Sequence, residues 1–221
     1  MILIENDFWS PLLLSLKVAS ISVTVVFIIG ILFARLVARK HFRGKMLLET
    51  TLLLPIVLPP TVIGFLLLFF FGKNNLIGLV IENIFSHSIM FTPFAAVIAS
   101  TIVAFPLMYQ TVKIGFESVD KDIEQAARVD GASELHVFLF VTLPLSIPSI
   151  ITGVILSFAR ALGEFGATLM FAGNIPGKTQ TAPIAIYMAI ESGNMNLAWL
   201  LVLSMVVVSF FMLLLTNLSK K

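Results

Sequence analysis

Long apolar runs alternate with short polar segments along this chain, and this alternation is its dominant pattern. A charge-free apolar run of about 20 residues can cross the roughly 30 Å hydrocarbon core of a bilayer as a helix. The pattern predicts an all-α, polytopic helical bundle of about five transmembrane helices in one integral membrane domain. The predicted spans are residues 12–36, 47–71, 92–112, 145–171 and 197–218 of the 1–221 domain. The apolar stretch 182–190 is too short to cross as a helix, and we expect a re-entrant or outer-surface element.

Composition agrees with a membrane protein, because 58% of the residues are hydrophobic, the mean hydropathy is +1.05 and only 12% are charged. A soluble domain of this length could not bury so much apolar surface. The net charge of +2 is too small to indicate nucleic-acid binding. The first ten residues lack the basic start of a signal peptide, so we expect the first apolar segment to be kept as a span. With no cysteine and with His41, His87 and His136 scattered, we expect no catalytic residue, no metal site and no cofactor.

Lysine and arginine collect on alternate connections, and this sets the expected orientation. They are Arg35, Arg39, Lys40, Arg43 and Lys45 after the first span, Lys113, Lys121 and Arg128 after the third, and Lys220 and Lys221 at the end. Cytoplasmic loops of membrane proteins carry an excess of such residues. We therefore expect a multi-pass protein of the cell (plasma) membrane with its N-terminus outside and its C-terminus cytoplasmic.

The longest charged segment, residues 118–144, lies between the third and fourth spans. Ser118 or Asp120 can cap a first helix whose first turn is acidic, which suits the positive end of the helix dipole. Gly131 can end that helix, because glycine adopts the left-handed conformation without steric penalty. Ser133 can cap a second helix over 134–143, which we expect Pro144 to end. Two short helices meeting at a glycine make a projecting knob, and small alanines would let another protein come close.

This insert resembles the EAA loop of ABC importer permeases, in which Glu-Ala-Ala, three residues, Gly, nine residues and Ile-x-Leu-Pro recur. Here Gln125-Ala126-Ala127 holds the first positions, Gly131 the glycine, and Val141-Thr142-Leu143-Pro144 the end. Gln125 stands where the family's glutamate usually does, with Glu124 one residue earlier, and Val141 replaces Ile. Neither departure changes the helix–glycine–helix spacing, but the first puts a salt bridge attributed to that glutamate in question.

The resemblance implies that residues 118–144 form a coupling helix docked in a groove of a separate cytoplasmic ABC ATPase. Closure of two ATPase subunits on ATP would then move the membrane helices. The implied coupling residues are Glu124, Gln125, Ala126, Ala127, Gly131, Ala132, Leu143 and Pro144. On spacing alone, a solvated loop with ordinary caps is the alternative.

The second predicted span contains Pro55, Pro59 and Pro60. Each removes an amide donor, so this helix should be broken near the middle of the membrane. Broken helices are common where transporters bind or gate their solutes, and a simple packing kink is the alternative.

The fourth predicted span contains Arg160 and Glu164, four residues apart on one helix face, where they could neutralise each other. Ala159, Gly163 and Ala167 add a small-residue stripe that allows close helix contact. Arg160 attracting an anion and an internal ion pair that fixes packing are both open. The candidate translocation-path residues are Pro59, Pro60, Arg160, Gly163, Glu164 and Gly166.

The segment 172–179 fits a relaxed phosphate-loop pattern with alanine for the first glycine. A phosphate loop needs a strand before it and a helix after it, whereas here an apolar helix precedes it and Pro183 follows closely. We therefore expect no nucleotide there and expect ATP to be handled by a partner chain.

Residues 160–181, together with the Leu-Pro-Ile-Val-Leu-Pro-Pro run at 54–60, look most like molybdate/tungstate permeases. Sulfate permeases share much of this, so a sulfate or other oxyanion importer is the alternative. The resemblance implies a homodimer of permeases in the lipid bilayer, two ATPase subunits and an extracytoplasmic oxyanion-binding protein. A membrane-embedded enzyme would need a nucleophile with a base, or metal ligands, at one depth. A passive channel would have no use for the projecting knob.

Overall fold

The computed structural model describes residues 2–40, 42–73, 75–85 and 87–218, and every regular element in these ranges is helical. The helices are α1 (Ile2–Val37), α2 (Lys45–Val57), α3 (Pro60–Phe71), α4 (Leu76–Phe85), α5 (Pro93–Ser118), α6 (Lys121–Val129), α7 (Glu134–Val137), a π-helical turn (Phe138–Thr142), α8 (Leu143–Leu145), α9 (Ile147–Leu162), α10 (Gly166–Ala172), α11 (Ala182–Glu191) and α12 (Met195–Leu218). His41, Lys220 and Lys221, which belong to the sequence expectations above, lie outside the described residues.

Among the described residues, three helical segments are long and apolar enough to cross a membrane: Asp7–Val37, Pro93–Ser118 and Met195–Leu214. Two bent helix pairs bring the number to five if each pair is one span. The predicted fold class, an all-α membrane bundle, is confirmed. Helix α4 was not predicted, because its ten residues are too few to stand out as a span.

The centre of the bundle is α5, against which α1 and α9 pack. Met108 of α5 is fully buried, and a Cβ on Gly30 of α1 or Gly153 of α9 would lie only 2.8 Å from its side chain. Glycine at these two positions lets both helices approach α5 closely. Small residues serve this purpose in membrane bundles, where van der Waals packing drives association.

The predicted break in the second apolar run is confirmed. Helix α2 continues through Pro55 and ends at Val57, and α3 starts at Pro60 at an angle of 113° to it. Pro60 occupies the first turn of α3, where its missing N–H leaves no helical bond unmade.

The expectation of one continuous helix over 145–171 is wrong. The chain bends by 68° near Ser146, α9 ends at Leu162, and α10 starts only at Gly166. Unbroken hydrophobicity does not reveal this second break, since each half is apolar. The expected small-residue stripe is also wrong, because Ala159 belongs to α9 and Ala167 to α10, with the break between them.

Candidate functional site

The first helix of the insert forms as its caps predict. The Asp120 carboxylate accepts a hydrogen bond from the amide of Asp122 at 2.9 Å, so Asp120 rather than Ser118 is the cap. The Ser118 hydroxyl instead donates to the carbonyl of Gly115 at 2.8 Å. Gly131 follows the helix with φ +89°, the left-handed conformation expected of it.

The second helix of the insert starts at its predicted cap, where the Ser133 hydroxyl accepts from the amide of His136. Its predicted end is wrong. The chain passes from α7 through the π-helical turn into α8, which includes Pro144, and it turns only at Ser146. Pro144 lies in the first turn of α8, a position where a proline is tolerated.

Glu124 anchors the insert to the membrane helices. Its carboxylate is buried, pairs with Arg39 beyond the end of α1 and accepts a hydrogen bond from the Thr142 hydroxyl at 2.7 Å. Arg39 also donates to the carbonyl oxygens of Phe116 and Val119 at the end of α5. A single ion pair therefore joins α1, α5 and both halves of the insert.

Glu124 forms a salt bridge with Arg39, whereas Gln125, which holds the position of the family's glutamate, is exposed. The partners of Glu124, Arg39 and Thr142, were not predicted from the sequence. Arg39 was visible only as one of several basic residues in its connection, and no spacing rule singles out Thr142.

The outer surface of the insert is rich in exposed apolar side chains. Val129 is 86% exposed and Phe140 is 72% exposed, and Ile123 and Leu135 are about half exposed. Ala126 and Pro144 are exposed among them. Several exposed apolar side chains on a charged insert are typical of a protein–protein contact.

Arg128 of α6 and Glu134 of α7 form an exposed ion pair across the turn at Gly131. The guanidinium donates to both carboxylate oxygens of Glu134, at 2.6 and 3.1 Å. These bonds lower the pKa of Glu134 below its ordinary value, with a smaller contribution from Arg35, and raise the pKa of Arg128. Because the folded pKa of Glu134 is depressed, the pair's contribution is complete above the ordinary carboxyl pKa and is lost as pH falls through the folded one.

The basic connections meet on one side of the bundle. Arg39, from the connection after α1, pairs with Glu124 of the insert. Lys113 of α5 pairs with Glu49 of α2, which Lys45 also approaches at 4.0 Å. The two described basic regions therefore lie at the same end of the molecule, as the positive-inside pattern requires.

The residues expected along a path lie where the two helix breaks meet. A Cβ on Gly166, at the start of α10, would lie 2.9 Å from the Cβ of Pro60 at the start of α3. One turn further, a Cβ on Gly64 would lie 2.7 Å from the Cβ of Met170. The breaks at Pro59–Pro60 and at Gly163–Gly166, far apart in sequence, are therefore packed against each other.

Arg160 and Glu164 form the expected ion pair, with 2.7 Å between a guanidinium nitrogen and a carboxylate oxygen. The other oxygen of Glu164 accepts from the amide of Ala167 at 2.8 Å, so the acid also caps α10. Glu164 is buried, whereas the side chain of Arg160 is one-third exposed. Gly163, the first residue after α9, is exposed.

The phosphate-loop-like segment has no free amide cluster. The amides of Lys178, Thr179 and Gln180 all donate to the carbonyl of Ile175, and the Thr179 hydroxyl accepts from the amide of Ile175. A helix, α10, precedes the segment where a phosphate loop has a strand. Within the described ranges, no group of three or more His, Asp or Glu side chains could hold a metal ion.

Comparison with known families decides the class of this molecule. The model of the family described as the inner membrane component of binding-protein-dependent transport systems matches residues 27–221. The chain belongs to this family. It is a membrane permease subunit of a binding-protein-dependent transport system and not an enzyme.

Two curated relatives of this permease are named for molybdenum transport. YvgM of Bacillus subtilis, provisionally named a molybdenum transport system permease protein, is 57% identical over 208 residues, covering 94% of this chain and 92% of the relative. The molybdenum transport system permease protein ModB of Escherichia coli K12 is 46% identical over 192 residues, covering 87% of this chain and 83% of the relative.

Solved structures show the same fold at low sequence identity. A bacterial ABC transporter involved in the import of the acidic polysaccharide alginate matches with a TM-score of 0.76 and 16% identity, over 97% of this chain and 79% of that one. The inward-facing methionine transporter MetNI matches with a TM-score of 0.71 and 14% identity, over 96% and 94%.

Proposed function

We propose that this permease carries molybdate across the cell membrane, with tungstate as a second substrate. The observation that carries the proposal is the high identity, over most of both chains, to relatives named for molybdenum transport. Molybdate, tungstate and sulfate are all tetrahedral oxyanions with two negative charges, so the choice among them has to be tested on the molecule.

Residues 118–144 are proposed to couple this chain to a cytoplasmic ABC ATPase. The exposed apolar side chains of Val129 and Phe140 support this, because both belong to the charged insert and leave apolar surface for a partner to cover. The buried Glu124–Arg39 pair also supports it, since a push on the insert would reach α1 and α5 directly. The surface residues Gln125, Ala126, Gly131 and Pro144 would then face the ATPase, while Ala127, Ala132 and Leu143 are less exposed.

The meeting point of the two helix breaks is proposed to line the translocation path. Broken helices are tolerated at membrane depth where they face protein or a wet cavity. Arg160 binds Glu164 through one nitrogen and keeps further N–H donors on a partly exposed side chain. Such a guanidinium can attract an oxyanion while its charge stays partly balanced. Pro59, Pro60, Gly163 and Gly166 would shape the backbone around it.

The complete transporter is proposed to contain two copies of this permease, two ATPase subunits and an extracytoplasmic oxyanion-binding protein. The family description supports a binding protein as partner. The basic regions at one end of the bundle support an orientation with the N-terminus outside and the insert in the cytoplasm.

The test is ATP-dependent uptake of labelled molybdate into vesicles that contain this permease, its ATPase and its binding protein. Uptake that resists excess sulfate and is competed by tungstate is the expected result. Uptake abolished by sulfate would make this a sulfate importer. An intact complex with no ATP-dependent anion uptake would overturn the proposed substrate and leave the family assignment in place.

A further inference from the structure

A cavity of about 580 Å³ lies between the end of α1, the end of α5 and the insert. Its charged lining consists of Arg35, Arg39, Lys40, Arg128, Glu124 and Glu134. Cations therefore outnumber carboxylates in its wall. Glu124 also belongs to the proposed coupling residues, whereas Arg35 and Lys40 belong neither to the coupling surface nor to the translocation path.

The two carboxylates in the wall already have cationic partners. Glu124 pairs with Arg39 and Arg128, and Glu134 pairs with Arg128. Arg35 and Lys40 form no ion pair within 4.0 Å in the part of the chain that the structure describes. The cavity thus has two cations available to an added anion.

Arg35 is held at the cavity wall by an aromatic contact. Its guanidinium carbon lies 4.0 Å from the centre of the Phe138 ring, which belongs to the π-helical turn of the insert. A cation above a ring face is attracted by the ring quadrupole, and its N–H groups remain free at the edge. The contact therefore orients Arg35 without using its donors.

An exposed apolar stripe on α1 leads into the same cavity. Ile21, Ile28, Leu32 and Leu36 are each 53–55% exposed and share one helix face by their spacing of seven, four and four residues. Leu32 and Leu36 also line the cavity. At 1.5 Å per residue, Ile21 to Arg35 covers about 21 Å, more than the roughly 15 Å hydrocarbon depth of one leaflet.

We propose that this cavity binds the phosphate headgroup of an anionic phospholipid, whose acyl chain lies along the α1 stripe. A free anion could neutralise Arg35 and Lys40 but would make no contact with the apolar stripe. A phospholipid could do both, through its headgroup and its acyl chain. Basic pockets between helices on the cytoplasmic side suit such headgroups. The inference rests on the proposed function only for its orientation, which puts the cavity in the cytoplasmic leaflet.

The experiment is a titration of the purified, detergent-solubilised permease–ATPase complex with phosphatidylglycerol, and separately with phosphatidylcholine, followed by native mass spectrometry. We expect phosphatidylglycerol to bind more tightly. At about 1 kcal/mol per basic residue near an anionic lipid, the double variant Arg35→Gln/Lys40→Gln should bind about 30-fold more weakly, and Lys40→Gln alone about fivefold. Lys40 is exposed, so its single variant tests the site even if the double variant fails to assemble.

The matched control is Arg43→Gln, because Arg43 is an exposed cation of the same connection that does not line the cavity. It should bind phosphatidylglycerol like the unaltered complex. Equal weakening by Arg43→Gln, or no weakening by Lys40→Gln, would overturn the site.

Two further measurements distinguish binding of a lipid from binding of a free anion. Inorganic phosphate and molybdate should not displace phosphatidylglycerol at millimolar concentration, and Leu36→Ser should weaken lipid binding. Displacement by either anion, with Leu36→Ser unchanged, would make this a free-anion site. Lipid binding is measured without transport, so a failed uptake assay would not affect this result.

Discussion

At the scale of single residues, two buried carboxylates organise the two candidate sites. Glu124 joins the insert to Arg39, and Glu164 joins Arg160 to the start of α10. A buried charge is costly unless it is paired and hydrogen-bonded, so each acid constrains where its partner segment lies. Each therefore has a structural role that any functional test must separate from transport.

We expect the Glu124–Arg39 ion pair to contribute far more to the free energy of unfolding than the exposed Glu134–Arg128 pair. Replacing Glu124→Gln leaves Arg39 without its counter-charge, and we expect a loss of about 2 kcal/mol, below the range for fully buried pairs because Arg39 is partly exposed. A lower melting temperature of the purified permease, with weaker retention of the ATPase, would show this. Glu134→Gln is the matched control and should melt almost like the unaltered protein. Equal effects from both variants would contradict the anchoring role of Glu124.

Arg160 should matter to transport beyond its pairing with Glu164. Arg160→Met alone leaves a buried carboxylate unpaired and should lower stability. The double variant Arg160→Met/Glu164→Gln removes both charges, and we expect it to regain most of the lost stability. We expect molybdate uptake by the double variant to stay reduced by about tenfold or more, the effect of one lost hydrogen bond to a charged group. Recovery of uptake with stability would mean that the pair only fixes packing.

At the scale of elements, the insert depends on a backbone conformation at Gly131 and not on space within the chain. Nothing lies within 4 Å of a Cβ built there, and φ is +89°. Gly131→Ala should therefore cost only about 1–2 kcal/mol of backbone strain, and Gly131→Asn less, because asparagine tolerates this conformation.

The variant Gly131→Trp tests whether the ATPase docks against this part of the insert. Nothing in the described part of this chain lies within 4 Å of a Cβ at this position, so a larger loss of ATP-driven uptake than Gly131→Ala produces would point to a clash with the ATPase. We expect that loss, with normal membrane insertion of the permease. Uptake by Gly131→Trp at the level of Gly131→Ala would remove the insert from the coupling surface.

We expect an alanine substitution at Gly166 to disturb the contact between α3 and α10, and one at Gly163, which precedes α10, to leave it intact. A Cβ on Gly166 would come within 2.9 Å of Pro60, whereas one on Gly163 meets only a carbonyl oxygen at 3.5 Å. We expect Gly166→Ala to destabilise the protein by about 1–3 kcal/mol through overpacking and Gly163→Ala to have little effect. Thermal unfolding of the purified variants compares them. If Gly163→Ala is the more damaging change, the two breaks are not packed as described.

At the scale of the whole molecule, the orientation can be read by chemical labelling, since the chain contains no cysteine. Arg43 and Lys178 are exposed and lie in different connections. We expect Arg43→Cys to react with a membrane-impermeant maleimide only from the cytoplasm and Lys178→Cys only from outside. The reverse pattern would invert the proposed orientation, and labelling of both from one side would change the number of spans.

The sequence by itself determined the membrane class, the position of the insert and the local signals that start and stop its first helix. These rest on short-range physics: apolar length against bilayer thickness, the cap at Asp120 and the left-handed residue at Gly131. The break near Pro59 was also predictable, because proline removes a donor wherever it stands. The start of the second helix at Ser133 follows the same rule as the first.

Only the tertiary structure decided how these elements meet. Nothing local marks Arg39 and Thr142 as partners of Glu124, since they lie 85 and 18 residues away. The break between α9 and α10 has no proline within it, and the segment it packs against, which starts at Pro60, lies far away in the sequence. Pro144 did not end its helix, since the chain stays helical through the π-helical turn and α8 as far as Leu145. Long-range pairing and packing settle such points, because their free energies exceed the local preferences that a sequence displays.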